Sequence, residues 1–123
     1  MPFRRLLRTL VSRTKGARGA IFCDYEGEFV DLAIGDPLLS DYELKVFGAQ
    51  LAATWLTLDA DAKTRGAGGL VELRLSCAAG TLLCNALPDG YYVVLVLERN
   101  HPSASAAFEL SKTTVELAAE LLR

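Results

Sequence analysis

Residues 16–35 read GARGAIFCDYEGEFVDLAIG, and the two β-prone runs inside this stretch decide the fold. They are Ala20-Ile21-Phe22-Cys23 and Phe29-Val30-Asp31-Leu32-Ala33-Ile34, separated by the acidic break Asp24-Tyr25-Glu26-Gly27-Glu28. A glycine near the centre of a short polar break between apolar runs signals a hairpin. The stretch predicts a hairpin over residues 18–34.

Upstream, Phe3, Leu6, Leu7, Leu10 and Val11 recur at helical spacing and predict a helix over residues 3–13. Pro2 suits its first turn and Gly16 its end. Downstream, Gly35-Asp36-Pro37 breaks the second strand. Ser40, with Glu43 three residues on, is a capping-box pair opening a long helix to about residue 58. That helix carries two apolar stripes: Leu44, Phe47, Leu51, Trp55 and Leu58, then Val46, Ala49, Ala53 and Leu56. A surface helix with one buried face needs one stripe. The second implies a partner, and the small Gly48, Ala49, Ala52 and Ala53 would admit a close helix.

Residues 59–69 read as a polar, glycine-rich loop, followed by strands over 70–75, 81–87 and 91–97. The turns between them are Cys77-Ala-Ala-Gly80 and Pro88-Asp89-Gly90. Val71, Leu73 and Leu75 alternate with Glu72, Arg74 and Ser76, giving one dry face and one wet face. The run from Tyr91 to Leu97 is apolar throughout, as expected of a central strand covered on both sides. Asn100-His101-Pro102-Ser103 opens a last helix that runs to the C-terminus. Glu109, Lys112, Glu116, Glu120 and Arg123 mark its solvated face. Phe108, Leu110, Val115, Leu117, Ala118, Leu121 and Leu122 cover the broad side expected to be buried.

With 123 residues, half of them apolar, the chain has material for one domain, 1–123, and a sizeable core. Its net charge of −2 points neither to nucleic acid nor to a membrane surface, and no apolar run is long enough for membrane insertion. The distribution is uneven. Six basic residues precede the first acid, Asp24, whereas residues 24–61 hold nine acids and only Lys45 as a base. Such asymmetry steers a partner or pairs internally. Three cysteines without CxxC spacing argue for buried thiols in a reducing, cytoplasmic setting.

Catalytic and metal signals are weak. His101, the single histidine, stands beside Pro102 with no ligand-spaced cysteine or second histidine. Asp59-Ala-Asp61 begins like a calcium loop, but Lys63 and Thr64 stand where an oxygen ligand and a glycine are required. Gly66-Ala-Gly68-Gly69 lacks the GK[ST] of a phosphate loop. Asp24, Glu26, Glu28 and Asp31 are expected to form a solvated hairpin tip rather than a cation site. No cofactor, metal or catalytic residue is expected.

The order α-β-β-α-β-β-β-α resembles the Roadblock/dynein light-chain family, in particular its bacterial MglB-like members. The residues that carry this are the hairpin from Ala17, the helix after Leu39-Ser40-Asp41, and the hairpin from Leu82 through Pro88-Asp89-Gly90 to Leu97. The resemblance implies an α+β, profilin-like fold. A five-stranded antiparallel sheet would have the central helix on one face and the terminal helices on the other. It implies a homodimer in which third-strand edges pair and central helices pack together. By transfer, the contact residues are Val46, Phe47, Ala49, Gln50, Ala53 and Leu56 on the helix, with Val71 and Leu73 in the strand. It further implies a docking or regulatory role toward a small Ras-like GTPase in cell polarity or motility, without catalytic residues of its own. The alternatives are a scaffold indifferent to nucleotide hydrolysis, and a PAS- or profilin-like small-ligand sensor with Asn85 in its pocket.

Overall fold

Nine elements are formed among the described residues, and the same patterning that suggests them explains their packing. The structure, a computed structural model, describes residues 2–99, 101 and 103–123. Asn100 and Pro102, expected in the opening of the last helix, lie outside the described residues. Helix α1 spans Pro2–Arg13, strands β1 and β2 span Ala17–Cys23 and Phe29–Ile34, and helix α2 spans Asp41–Thr64. Strands β3 and β4 follow at Glu72–Cys77 and Gly80–Ala86. A single 3-10 turn at Pro88–Gly90 leads into β5, Tyr92–Glu98, and helix α3 closes the chain at Ser103–Leu121.

The five strands form one antiparallel sheet in the order β2-β1-β5-β4-β3. β5 is central, and Tyr92 through Leu97 are buried, as the uninterrupted apolar run requires. Strand alternation sends side chains to two separate cores. Ala20, Phe22, Leu83, Val93 and Leu95 pack beneath α1 and α3, together with Leu7, Leu10, Leu110 and Leu117. Ile21, Cys23, Cys84, Tyr92, Val94 and Val96 pack beneath α2, with Leu44, Leu51 and Trp55. The terminal helices therefore share one face and the central helix has the other.

α2 begins as its capping box dictates. The Ser40 hydroxyl accepts from the Glu43 amide at 3.1 Å, and the Glu43 carboxylate accepts from the Ser40 amide at 3.1 Å. Its end differs from expectation, since the helix continues about six residues beyond 58. Asp59–Lys63 and Asp61–Arg65 ion pairs, four residues apart, support the extension. It stops in a Schellman turn: the Ala67 amide donates to the Ala62 carbonyl and that of Gly66 (φ 81°) to Lys63. The glycines mark a helix end, and the loop itself is short.

Two further expectations are corrected. Asp31 does not belong to the acidic tip. Its carboxylate is 2 % exposed, faces α1, and accepts from the Arg4 guanidinium at 2.8 Å. With Arg18–Asp36, also at 2.8 Å, it satisfies part of the charge asymmetry within the chain. Phe108 and Val115 on α3, and Leu122 just past its end, are not buried; they are 63, 71 and 71 % exposed. The sheet-facing side of α3 is instead Ala106, Leu110, Thr113 and Leu117.

Candidate docking surface

α2 rests on the sheet through Leu44, Gly48, Leu51, Ala52 and Trp55, its buried residues. Gly48 lets it come close, since a methyl there would lie 2.7 Å from the Cys23 sulfur. The Tyr92 hydroxyl donates to the Gly48 carbonyl at 2.7 Å, and the Tyr92 ring stacks on Trp55. Gly48 therefore serves the chain's own sheet and not a second helix. Leu58, expected in this stripe, is 40 % exposed.

The opposite side of α2 is uncovered. Val46 is half-buried, whereas Ala49, Gln50 and Ala53 are exposed and Leu56 is 56 % exposed. Tyr42 and Ala60, which the sequence reading missed, lie on the same side and are also exposed. Together Tyr42, Val46, Ala49, Ala53, Leu56 and Ala60 follow a strict alternation of four and three residues. That is the spacing of a seam on which a second helix packs. The signal for both ends is in the sequence: the alternation of four and three residues continues unbroken from Tyr42 to Ala60. Thr57, beside the seam, donates its hydroxyl to the Ala53 carbonyl at 3.1 Å, so its polar group is satisfied within the helix.

Phe47 is half-buried on the flank of the helix. With Cys77, Ala79, Leu82 and Val96 it lines an apolar groove of about 210 Å³ beside the β3–β4 turn. On the other flank, Ala49 meets the Gly27 turn of the first hairpin. Leu56 opens there onto a recess of about 210 Å³ shared with Tyr25, Trp55, Leu70 and Tyr91.

β3 is an edge strand with one free side. Its α2-side residues Leu73 and Leu75 are half-buried, and Val71, just before it, is 72 % exposed. They are left partly open because the main strand contacts of α2 are with β1 and β2. The structure thus brings the eight expected contact residues onto one side of the molecule, in two parts. Val46, Ala49, Gln50, Ala53 and Leu56 follow the outer side of the helix, with Phe47 on its flank. Val71 and Leu73 lie at the adjoining sheet edge.

The groups considered for chemistry are in structural roles. The Asp24 carboxylate accepts from the Glu26 and Glu28 amides at 2.9 and 3.1 Å, which folds the hairpin turn. His101 packs over Gly16 and its Nε2 lies 3.0 Å from the Glu98 carboxylate. Cys23 and Cys84 are buried, and burial pushes both thiols up to about 12, whereas Cys77, expected to be buried with them, is exposed at the β3–β4 turn. Asn85 faces α3 and donates to Thr114 at 3.2 Å; the cavity beside it, about 40 Å³, has room for only a few waters. No group of three metal-binding side chains forms among the described residues, and no described helix is long and apolar enough to cross a membrane.

No family model and no curated protein matches the sequence. Solved structures do match the fold. A Roadblock/LC7 domain from Streptomyces avermitilis superposes with a TM-score of 0.85 at 14% identity, over 98% of each chain. The gliding protein MglB from Thermus thermophilus has a TM-score of 0.85 at 19% identity, covering 95% of this chain and 86% of its own. An MglB in a tetrameric arrangement also has a TM-score of 0.85 at 19% identity, over 95% and 85%. At these identities the likeness is one of architecture: the chain has the Roadblock/LC7 fold.

Proposed function

We propose that this chain is an MglB-like Roadblock homodimer that serves as a docking platform for a small Ras-like GTPase. The observation that carries this is the uncovered seam on α2 beside the free β3 edge. A helix that already seats one apolar side on its own sheet gains from a second side only if something covers it. In an antiparallel pairing about a two-fold axis, Ala49 meets Ala53 of the partner subunit. Val46 then meets the partner subunit's Leu56, and Tyr42 the partner subunit's Ala60. Small residues at the centre allow close approach, and larger ones face each other or a small residue farther out. The β3 edges continue the sheet through their unpaired backbone groups. The Roadblock/LC7 fold and the tetrameric arrangement of one MglB of that fold support an assembly of this kind.

The paired helices form the platform, and the recesses beside Phe47 and Leu56 supply apolar pockets for a partner. The role is one of binding; no side chain of the chain enters the GTPase's chemistry. The test uses the purified chain and a Ras-like GTPase from the same genome, loaded with GDP or a non-hydrolysable GTP analogue. Calorimetry is expected to detect binding in at least one nucleotide state, and Leu56→Asp to weaken it at least tenfold. Absence of binding in both states would overturn the proposal. Hydrolysis rates with and without the chain separate an activator from a scaffold.

A further inference from the structure

On the face of the sheet opposite α2, helix α3 carries a second uncovered seam. Ala104, Phe108, Ser111, Val115, Ala118 and Leu122 again alternate by four and three residues. Phe108, Val115 and Leu122 are the exposed members noted above, and Ala104 and Ser111 are exposed with them. Three large exposed apolar side chains seven residues apart are more than a scatter of surface hydrophobes, because they form one continuous strip. The core-facing residues Ala106, Leu110, Thr113 and Leu117 lie on the other side of the helix. The chain's own core reaches only Ala118, half-buried at the margin of the strip, and does not account for the other five members.

We infer that this strip is a self-association surface, on which α3 pairs antiparallel with α3 of a second copy. The order of side-chain sizes selects the occupant. In an antiparallel pairing centred between Ser111 and Val115, each layer sets a large side chain against a small one. Leu122 lies over Ala104 of the partner subunit, Phe108 over the partner subunit's Ala118, and Val115 over the partner subunit's Ser111. Alternating large and small residues in facing layers is how two helices interdigitate at native density. A parallel pairing would instead stack Phe108 on its own copy and leave Ser111 against the partner subunit's Ser111, with a void.

Charge fits the same pairing. Lys112 flanks the strip, with its ammonium 5.2 Å from the Phe108 ring and 3.3 Å from the Glu109 carboxylate. Glu116, exposed one turn on, takes part in none of the ion pairs among the described residues. The antiparallel register brings Lys112 within side-chain reach of the partner subunit's Glu116, twice by symmetry. The two lysines near the axis then stand among four glutamates. Because α2 and α3 lie on opposite faces, this contact forms independently of the α2 seam, and where the two two-fold axes meet at a right angle both together close into a dimer of dimers.

Disulfide trapping tests the register in the full chain. In a Cys77→Ser background, the remaining native thiols, Cys23 and Cys84, are buried. Adding both Ser111→Cys and Val115→Cys is expected to yield a covalent dimer under mild oxidation, seen as doubled mass on a non-reducing gel. Ser111→Cys alone or Val115→Cys alone should cross-link at least fivefold less, because the antiparallel layers pair unlike positions. A second readout is light scattering: Val115→Arg should halve the assembly mass, in the native chain and in an Ala53→Arg background alike. No covalent dimer from the double variant, or equal trapping by the single variants, would overturn the inference. So would an unchanged mass with Val115→Arg.

Discussion

Gly48 is the position where one atom more would be felt first. Its missing side chain lets α2 settle onto β1, with the Cys23 sulfur where a methyl would go and the Tyr92 hydroxyl holding its carbonyl. Gly48→Ala would be expected to gain helix propensity, but overpacking a tight contact costs more, about 1–3 kcal/mol. The variant should melt several degrees lower in a thermal scan; an equal or higher melting temperature would mean that the helix shifts freely. The cysteines give a second check. With burial holding Cys23 and Cys84 at about 12, only exposed Cys77 should react with a thiol reagent at neutral pH. One thiol should titrate in the native protein and three after denaturation. At these positions sequence alone misleads. Glycine among alanines suggests room for a second helix, and Asp31 in an acidic stretch suggests solvent. Only the packing of α2 and the approach of Arg4, 27 residues away, assign them to the interior.

Helix α2 shows what local pattern can determine. Its start is readable because a capping box is a local hydrogen-bond motif, and the excess of apolar stripes follows from periodicity alone. Its end is less so, because a glycine-rich tail resembles a loop until the Schellman bonds are seen. Asp59 ties that end to the strand beyond. Its carboxylate accepts from the Leu70 amide at 2.7 Å and pairs with Lys63. The Leu70 amide first, then the Lys63 ammonium, hold this carboxyl below its ordinary range. A carboxyl lowered in the folded state stabilises above the unfolded pKa, about 3.9, and that contribution is lost as pH falls through the folded value. Asp59→Asn should therefore lower the melting temperature at pH 7, and the gap from the native chain should close below about pH 4. A gap independent of pH would mean that the carboxylate charge is not the cause. Helix α3 marks the limit of periodicity. It is apolar over most of its circumference, so spacing identifies the charged stripe but not which apolar side meets the sheet.

The whole domain follows from element order more than from any single residue. Helix–hairpin–helix–three strands–helix leaves β5 central and β3 at an edge, and it separates the helices onto two faces. That much was visible in the chain, and so was the surplus of apolar surface. Which surfaces stay open depends on how far α2 reaches over the sheet, a tertiary property. The outcome is a fold with its cores closed and an uncovered seam on each side. The α2 seam is the basis of the proposed platform, and light scattering on the native chain and on Ala53→Arg tests it most directly. Ala53 sits at the closest approach of the paired helices, where a guanidinium would be sterically excluded and left as an unpaired charge. Pairing through this seam requires a native assembly of at least two copies at micromolar concentration, and a twofold fall in mass with Ala53→Arg at unchanged thermal stability of the fold. A monomeric native chain, or an assembly that Ala53→Arg leaves intact, would contradict it.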